Sequence, residues 1–160
     1  PDLPPRAAEK AASITGMTAA AATASVTSWV AREVRYDASD RIVAAHAEAG
    51  RQGLSFFERA LRVGAGDCDV QNALAAAILA KAGVPARLAV GWVGIDGRAA
   101  SGLHAWVEYL GEDGSWRVAD ASGGVIDVAG TLTSSTNSGS FASVYRMAAG
   151  GSPSMEPKFP

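Results

Sequence analysis

Cys68 is the only cysteine in the sequence, and it lies in Gly64-Ala-Gly-Asp-Cys-Asp69, where a glycine-rich turn meets a long apolar run. Alone, it can form no disulfide within the chain and can supply no multi-cysteine zinc site. A structural thiol, a redox thiol and a nucleophile remain open. The surroundings favour the nucleophile. Asp67 is a good N-cap, which puts Cys68 in the first turn of a helix. There the unpaired backbone N–H groups and the helix dipole favour an anion such as thiolate. The alternative is a plain buried cysteine packing as a small hydrophobe.

A thiol nucleophile needs a base, and the base needs an orienting group. The sequence has two histidines. His46 lies in the alanine-rich stretch Arg41–Gly50 and reads as a half-buried or surface helix residue. His104 opens His-Ala-Trp-Val-Glu-Tyr-Leu, which reads as a strand. Asp120 ends a second strand, Ser-Trp-Arg-Val-Ala-Asp, and Asp113-Gly114 between the two is a hairpin signal. A hairpin sets His104 and Asp120 side by side, as a base with its carboxylate behind it. Glu108 shares a face with His104, and pairing with Arg87 or Arg117 is favoured over a place in the cleft. No metal is expected. Asp37, Asp40, Asp67 and Asp69 lack the spacing of a calcium loop. A zinc site from Cys68, His46 and His104 suits a helix tip and a strand less well than a nucleophile and base do.

The elements that must position these groups follow from pattern. Val70–Ala82 is almost entirely strong helix formers, with Gly83 suited to the C′ position and Pro85 blocking continuation. Apolar residues cover every side of its middle, and Gln71, Asn72 and Lys81 fall near its ends, so it reads as a buried central helix. Upstream, Pro1–Arg6 is expected to be an extended leader and Ala7–Ser13 a short helix. Thr18–Arg35 is a helix with Ala22, Val26, Trp29, Val30 and Val34 on one stripe, which makes Trp29 a core residue. Asp40 is expected to cap a helix running through Ala49, and Ser55–Glu58 is a capping box. After Pro85 the period changes. Arg87–Val93 is a strand with Leu88, Val90 and Trp92 on one face, Ala89, Gly91 and Val93 on the other, and both faces buried. Asp96-Gly97 begins a loop to Ser101. Gly123–Val128 is expected to be a short strand, Thr131–Ser140 a polar loop, Phe141–Met147 an edge strand and 150–160 a mobile tail.

Five blocks in this order resemble the transglutaminase-like superfamily, which is similar to the papain-like cysteine peptidases. They are Gly66-Asp67-Cys68, Ala82–Arg87, Val90-Gly91-Trp92, His104–Glu108 and Trp116–Asp120, and the resemblance covers roughly Val26 to Ser122. It implies an α+β, papain-like fold: N-terminal helices, a central helix carrying the cysteine, and an antiparallel sheet carrying its partners. It implies Cys68 as nucleophile, His104 as general base and acid, and Asp120 as orienter of the imidazole. The expected chemistry is acyl transfer or hydrolysis on protein or peptide amides through a thioester, with no cofactor. Transferase and hydrolase stay open, as does a non-catalytic scaffold that keeps the fold. Two departures matter. Ala121-Ser122 follows Asp120 where Pro-Thr is common. Tyr36 stands near the place of a tryptophan that helps hold the oxyanion in the calcium-dependent animal enzymes. A phenol can donate the same bond, so Tyr36 is a candidate second donor, with a core-capping aromatic as the competing reading.

Composition fits one domain over 1–160, with 1–16 and 150–160 peripheral. The length of 160 residues suffices for one full core, and the net charge is −2. No basic block offers a footprint for nucleic acid. No apolar run is long enough to span a bilayer, and no signal-peptide pattern occurs. The chain begins at Pro1 rather than Met, so it is expected to be a processed piece of a longer, bacterial polypeptide. Its compartment stays open, since a free thiol suits the cytoplasm and a catalytic thiol also survives in the periplasm or outside the cell.

Overall fold

The computed structural model describes residues 2–95, 98–99, 103–123, 125–127, 132–133 and 139–148. Helices come first: α1 Pro5–Ile14, α2 Ala19–Glu33, α3 Asp40–Arg51, α4 Phe56–Val63 and α5 Cys68–Lys81. Two short strands, β1 Arg35–Tyr36 and β2 Ala65–Gly66, interrupt them. The sheet follows: β3 Ala86–Ile95, β4 Arg98–Ala99, β5 His104–Leu110, β6 Trp116–Asp120, β7 Val125–Asp127, β8 Leu132–Thr133 and β9 Gly139–Ala148. Its order is β4-β3-β5-β6-β7-β8, with β9 paired to the other side of β3, and every pairing is antiparallel. The fold is α+β, as the sequence suggests.

α5 is the centre of the main core. Leu74, Ile78 and Leu79 are fully buried, against Ala7, Ala11 and Ile14 of α1, Val26 and Val30 of α2, and Val107 and Tyr109 of β5. Burying each such aliphatic side chain stabilises by about 1.5–3 kcal/mol relative to leaving it in water. Gly83 takes the left-handed conformation at φ 93° after α5, as its C′ assignment requires. Trp29 is partly buried against this core. On β3, Leu88, Ala89 and Val90 are buried, so both faces are covered there. The side chains of Trp92 and Val93 lie outside the described residues. Arg87 Nε donates to Glu108 Oε1 at 3.0 Å, and its guanidinium sits 3.7 Å from the centroid of Trp116, tying β3, β5 and β6 together. Glu108 therefore takes the ion-pair role.

Several expectations are corrected. A peripheral leader over 1–16 fails, because Pro5 opens α1 at its first turn, where proline is tolerated. Ala7, Ala11 and Ile14 then bury one face of that helix in the core. Ser39, not Asp40, occupies the N-cap of α3, and Asp40 sits in its first turn. The Ser55–Glu58 capping box is present. The polar loop over Thr131–Ser140 contains β8 and the start of β9, because strand pairing satisfies backbone groups whatever the side-chain polarity. Phe141–Met147 does return as a strand, beside β3. The mobile tail at 150–160 and most of the Asp96–Ser101 loop fall outside the described residues. Among those described, no helix is long and apolar enough to cross a membrane.

Candidate active site

The turn before Cys68 is built by close packing and a cap. An added Cβ at Gly66 would lie 2.7 Å from Val70 Cβ, so only glycine fits there. The Asp67 carboxylate accepts the Val70 N–H at 3.3 Å and starts α5. Cys68 is half-buried in the first turn and packs against Leu88, Val90 and Ala105. Its expected place at a helix tip is thus the observed one.

β5 and β6 form the hairpin expected from Asp113-Gly114, with Gly114 at φ 80°. His104 Nε2–H donates to Asp120 Oδ2 at 2.5 Å. Cys68 neighbours the same ring, and since Asp120 occupies Nε2, Nδ1 is the nitrogen left to face the thiol, while Cys68 Sγ itself reaches Asp69 Oδ1 at 4.0 Å. The bond to Asp120, then the neighbouring Cys68, raise His104 to about 10 against the opposing effect of burial. Burial alone would push the Asp120 carboxyl up. The hydrogen bonds from His104, Asn72 and the Ser122 N–H outweigh it and hold this carboxyl below the usual range. Trp106 stacks on the His104 side, with ring centroids 6.3 Å apart.

Tyr36 pairs with Gly66 in the parallel β1–β2 ladder, two residues before Cys68. It is 53% exposed, so the reading of a core-capping aromatic is corrected: the strand pairing turns the residue out toward solvent near the thiol turn. His46 is not part of this cluster. Its Nε2–H donates to the Ala65 carbonyl at 2.7 Å and supports the chain just before Cys68. Among the described residues, no group of three or more His, Cys, Asp or Glu is placed to hold a metal ion.

Sequence reasoning passed over two residues beside the site. Gln71 and Asn72 are buried amides at 1% and 0% exposure, not polar fringe at a helix end. Gln71 Nε2 donates to the Val34 carbonyl at 2.7 Å and its Oε1 accepts from Ser122 Oγ at 2.7 Å. Asn72 reaches Asp120 itself at 3.0 Å. The available signal was spacing, since Asn72 is one helical turn behind Cys68 and so on its face.

The family model of the transglutaminase-like superfamily matches residues 7–121, well over half of the chain. This chain belongs to the transglutaminase-like superfamily. Two solved structures share its fold. A crystal structure of a TGase aligns at a TM-score of 0.53 and 18% identity, over 83% of this chain and 34% of that one. A candidate cysteine protease from Cytophaga hutchinsonii aligns at a TM-score of 0.51 and 18% identity, over 87% and 51%. The chain thus spans about a third and about half of the two proteins it matches. No curated protein matches the sequence. The family supports a cysteine enzyme in general terms, and these neighbours show its fold.

Proposed function

We propose that this superfamily member, a single domain over 1–160, is a cysteine-nucleophile enzyme acting on protein or peptide amides, either a Gln side chain or a peptide bond. The observation that supports this reading is the hydrogen bond from His104 to buried Asp120, with Cys68 packed against Ala105 next to His104 on the same strand. His104 draws the proton from Cys68 as general base, which frees the sulfur for attack. The sulfur attacks the carbonyl carbon, and the carbonyl electron pair moves to oxygen. The Cys68 backbone N–H, unpaired at the helix start, receives that oxyanion, with the Tyr36 hydroxyl as second donor. His104 passes its proton to the leaving nitrogen as the C–N bond breaks, leaving a thioester on Cys68. His104 then takes a proton from the incoming amine or water as its nitrogen or oxygen bonds to the acyl carbon, and the C–S bond breaks, so that the product leaves and the sulfur takes the proton back from His104. An amine acceptor makes the reaction transamidation, and water makes it hydrolysis.

A glutamine-containing peptide offered with and without a primary amine tests this. Mass spectrometry should find an acyl adduct on Cys68, with ammonia released and Cys68→Ala inactive. Absence of any adduct across Gln and peptide-bond substrates, with a thiol that labels only at alkaline pH, would favour the non-catalytic scaffold instead.

A further inference from the structure

Asn72 is wholly buried on α5, one turn behind Cys68. Its amide reaches the other two elements of the candidate triad. Nδ2 donates to the Ala105 carbonyl at 2.9 Å, next to His104 on β5, and to Asp120 Oδ1 on β6 at 3.0 Å. Oδ1 accepts the Ala121 N–H at 2.9 Å. The two Nδ2 hydrogens are used by two partners. Ser122 Oγ, 3.5 Å from the same nitrogen, gives its own hydrogen to Gln71.

The geometry limits what Asp120 can do. A carboxylate turns easily about its last torsion. Here Oδ2 holds His104, while Oδ1 accepts from both Asn72 and the Ser122 N–H at 2.9 Å. Rotation would break all three bonds to a buried carboxylate, where an unmet charge is costly. A wholly buried amide is also costly unless its bonds are made. We propose that Asn72 is a positioning residue: it fixes the Asp120 carboxylate, and through it the His104 ring, relative to the thiol on its own helix. The inference rests on the reading of Cys68, His104 and Asp120 as the working triad.

The full chain carries the test. Two readouts report the triad without any substrate: the pH dependence of Cys68 alkylation by iodoacetamide, and the His104 ring titration by NMR, where His46 is the one other imidazole. The charged groups facing His104 are Asp120, Cys68 and Asp69. Asn72→Leu keeps the volume and removes every bond, and Asn72→Ser leaves one short hydroxyl. Val30→Ala, a core cavity on α2 away from the triad, matches the loss of stability. Both Asn72 variants should lower the His104 midpoint and slow alkylation at pH 6 by about tenfold or more, the factor carried by a lost hydrogen bond to a charged group. Val30→Ala should lower only Tm. Asn72 variants that lose Tm but keep wild-type titration and alkylation overturn the proposal. If neither variant folds, the wild type decides: the Asn72 13Cγ resonance should move as His104 titrates, and a fixed resonance overturns the role. A wild type with neither low-pH alkylation nor a raised His104 midpoint defeats the triad reading itself, and the positioning role with it.

Discussion

Two side chains carry the sharpest tests at the scale of single residues. Iodoacetamide should alkylate Cys68 readily at pH 6 if His104 holds it as a thiolate, and His104→Ala should abolish that low-pH reaction. Identical labelling of both proteins would remove the ion pair from the account. Tyr36 offers a different separation. The residue is 53% exposed, so loss of the hydroxyl should move stability by less than about 0.5 kcal/mol. If the phenol meets the oxyanion, Tyr36→Phe should slow turnover roughly 10²- to 10³-fold. Alkylation builds no oxyanion, so Cys68 labelling should not change. Full turnover in the variant would leave the second donor to be found elsewhere.

At the scale of elements, the junction of β2 with α5 sets where the thiol stands. Gly66 packs its backbone against Val70, and an added Cβ would meet the Val70 Cβ and Cγ1 atoms at 2.7 Å. Gly66→Ala must therefore push β2 away from the first turn of α5. It should lower Tm and also slow Cys68 alkylation, since the turn that aims the sulfur moves. Adding Val70→Ala removes the Cγ atoms but not the Cβ contact, so it should restore the rate only in part. A Gly66→Ala protein with wild-type Tm and labelling would show that the turn has slack.

For the whole molecule, the coupled pair His104 and Asp120 makes stability depend on pH. The folded pKa of His104, about 10, lies above the unfolded value of about 6.5. Its contribution is fully present below about pH 6.5 and is lost as pH rises through about 10. Asp120 is depressed, so its contribution is present above its unfolded value, about 3.9, and fades as acid protonates it. Urea unfolding of wild type and His104→Ala should show a stability gap that shrinks steadily from pH 6.5 to 10. A gap that stays constant over that range would mean that His104 is not held as a cation in the fold.

The central helix and the β5–β6 hairpin are legible in the sequence because each rests on local chemistry. Asp67 caps α5, Gly83 ends it, and Asp113-Gly114 turns β5 into β6, all through bonds between near neighbours. Period and apolar content likewise place Leu74, Ile78 and Leu79 inside. What the sequence left open depends on which segments meet. Nothing local to Tyr36 says that it pairs with Gly66, or to Pro5–Ile14 that α1 packs on α5. Asn72 shows the division most plainly. Its type and spacing put it on the face of Cys68, but an amide near a helix start is ordinarily a solvated group. Only the packing of α5 against β5 and β6 buries it, and only that contact brings the Asp120 carboxylate, 48 residues away, within 3.0 Å of its nitrogen. Capping and turns are settled by neighbours in sequence, whereas burial and long-range pairing are settled by the free energy of the whole chain folding on itself.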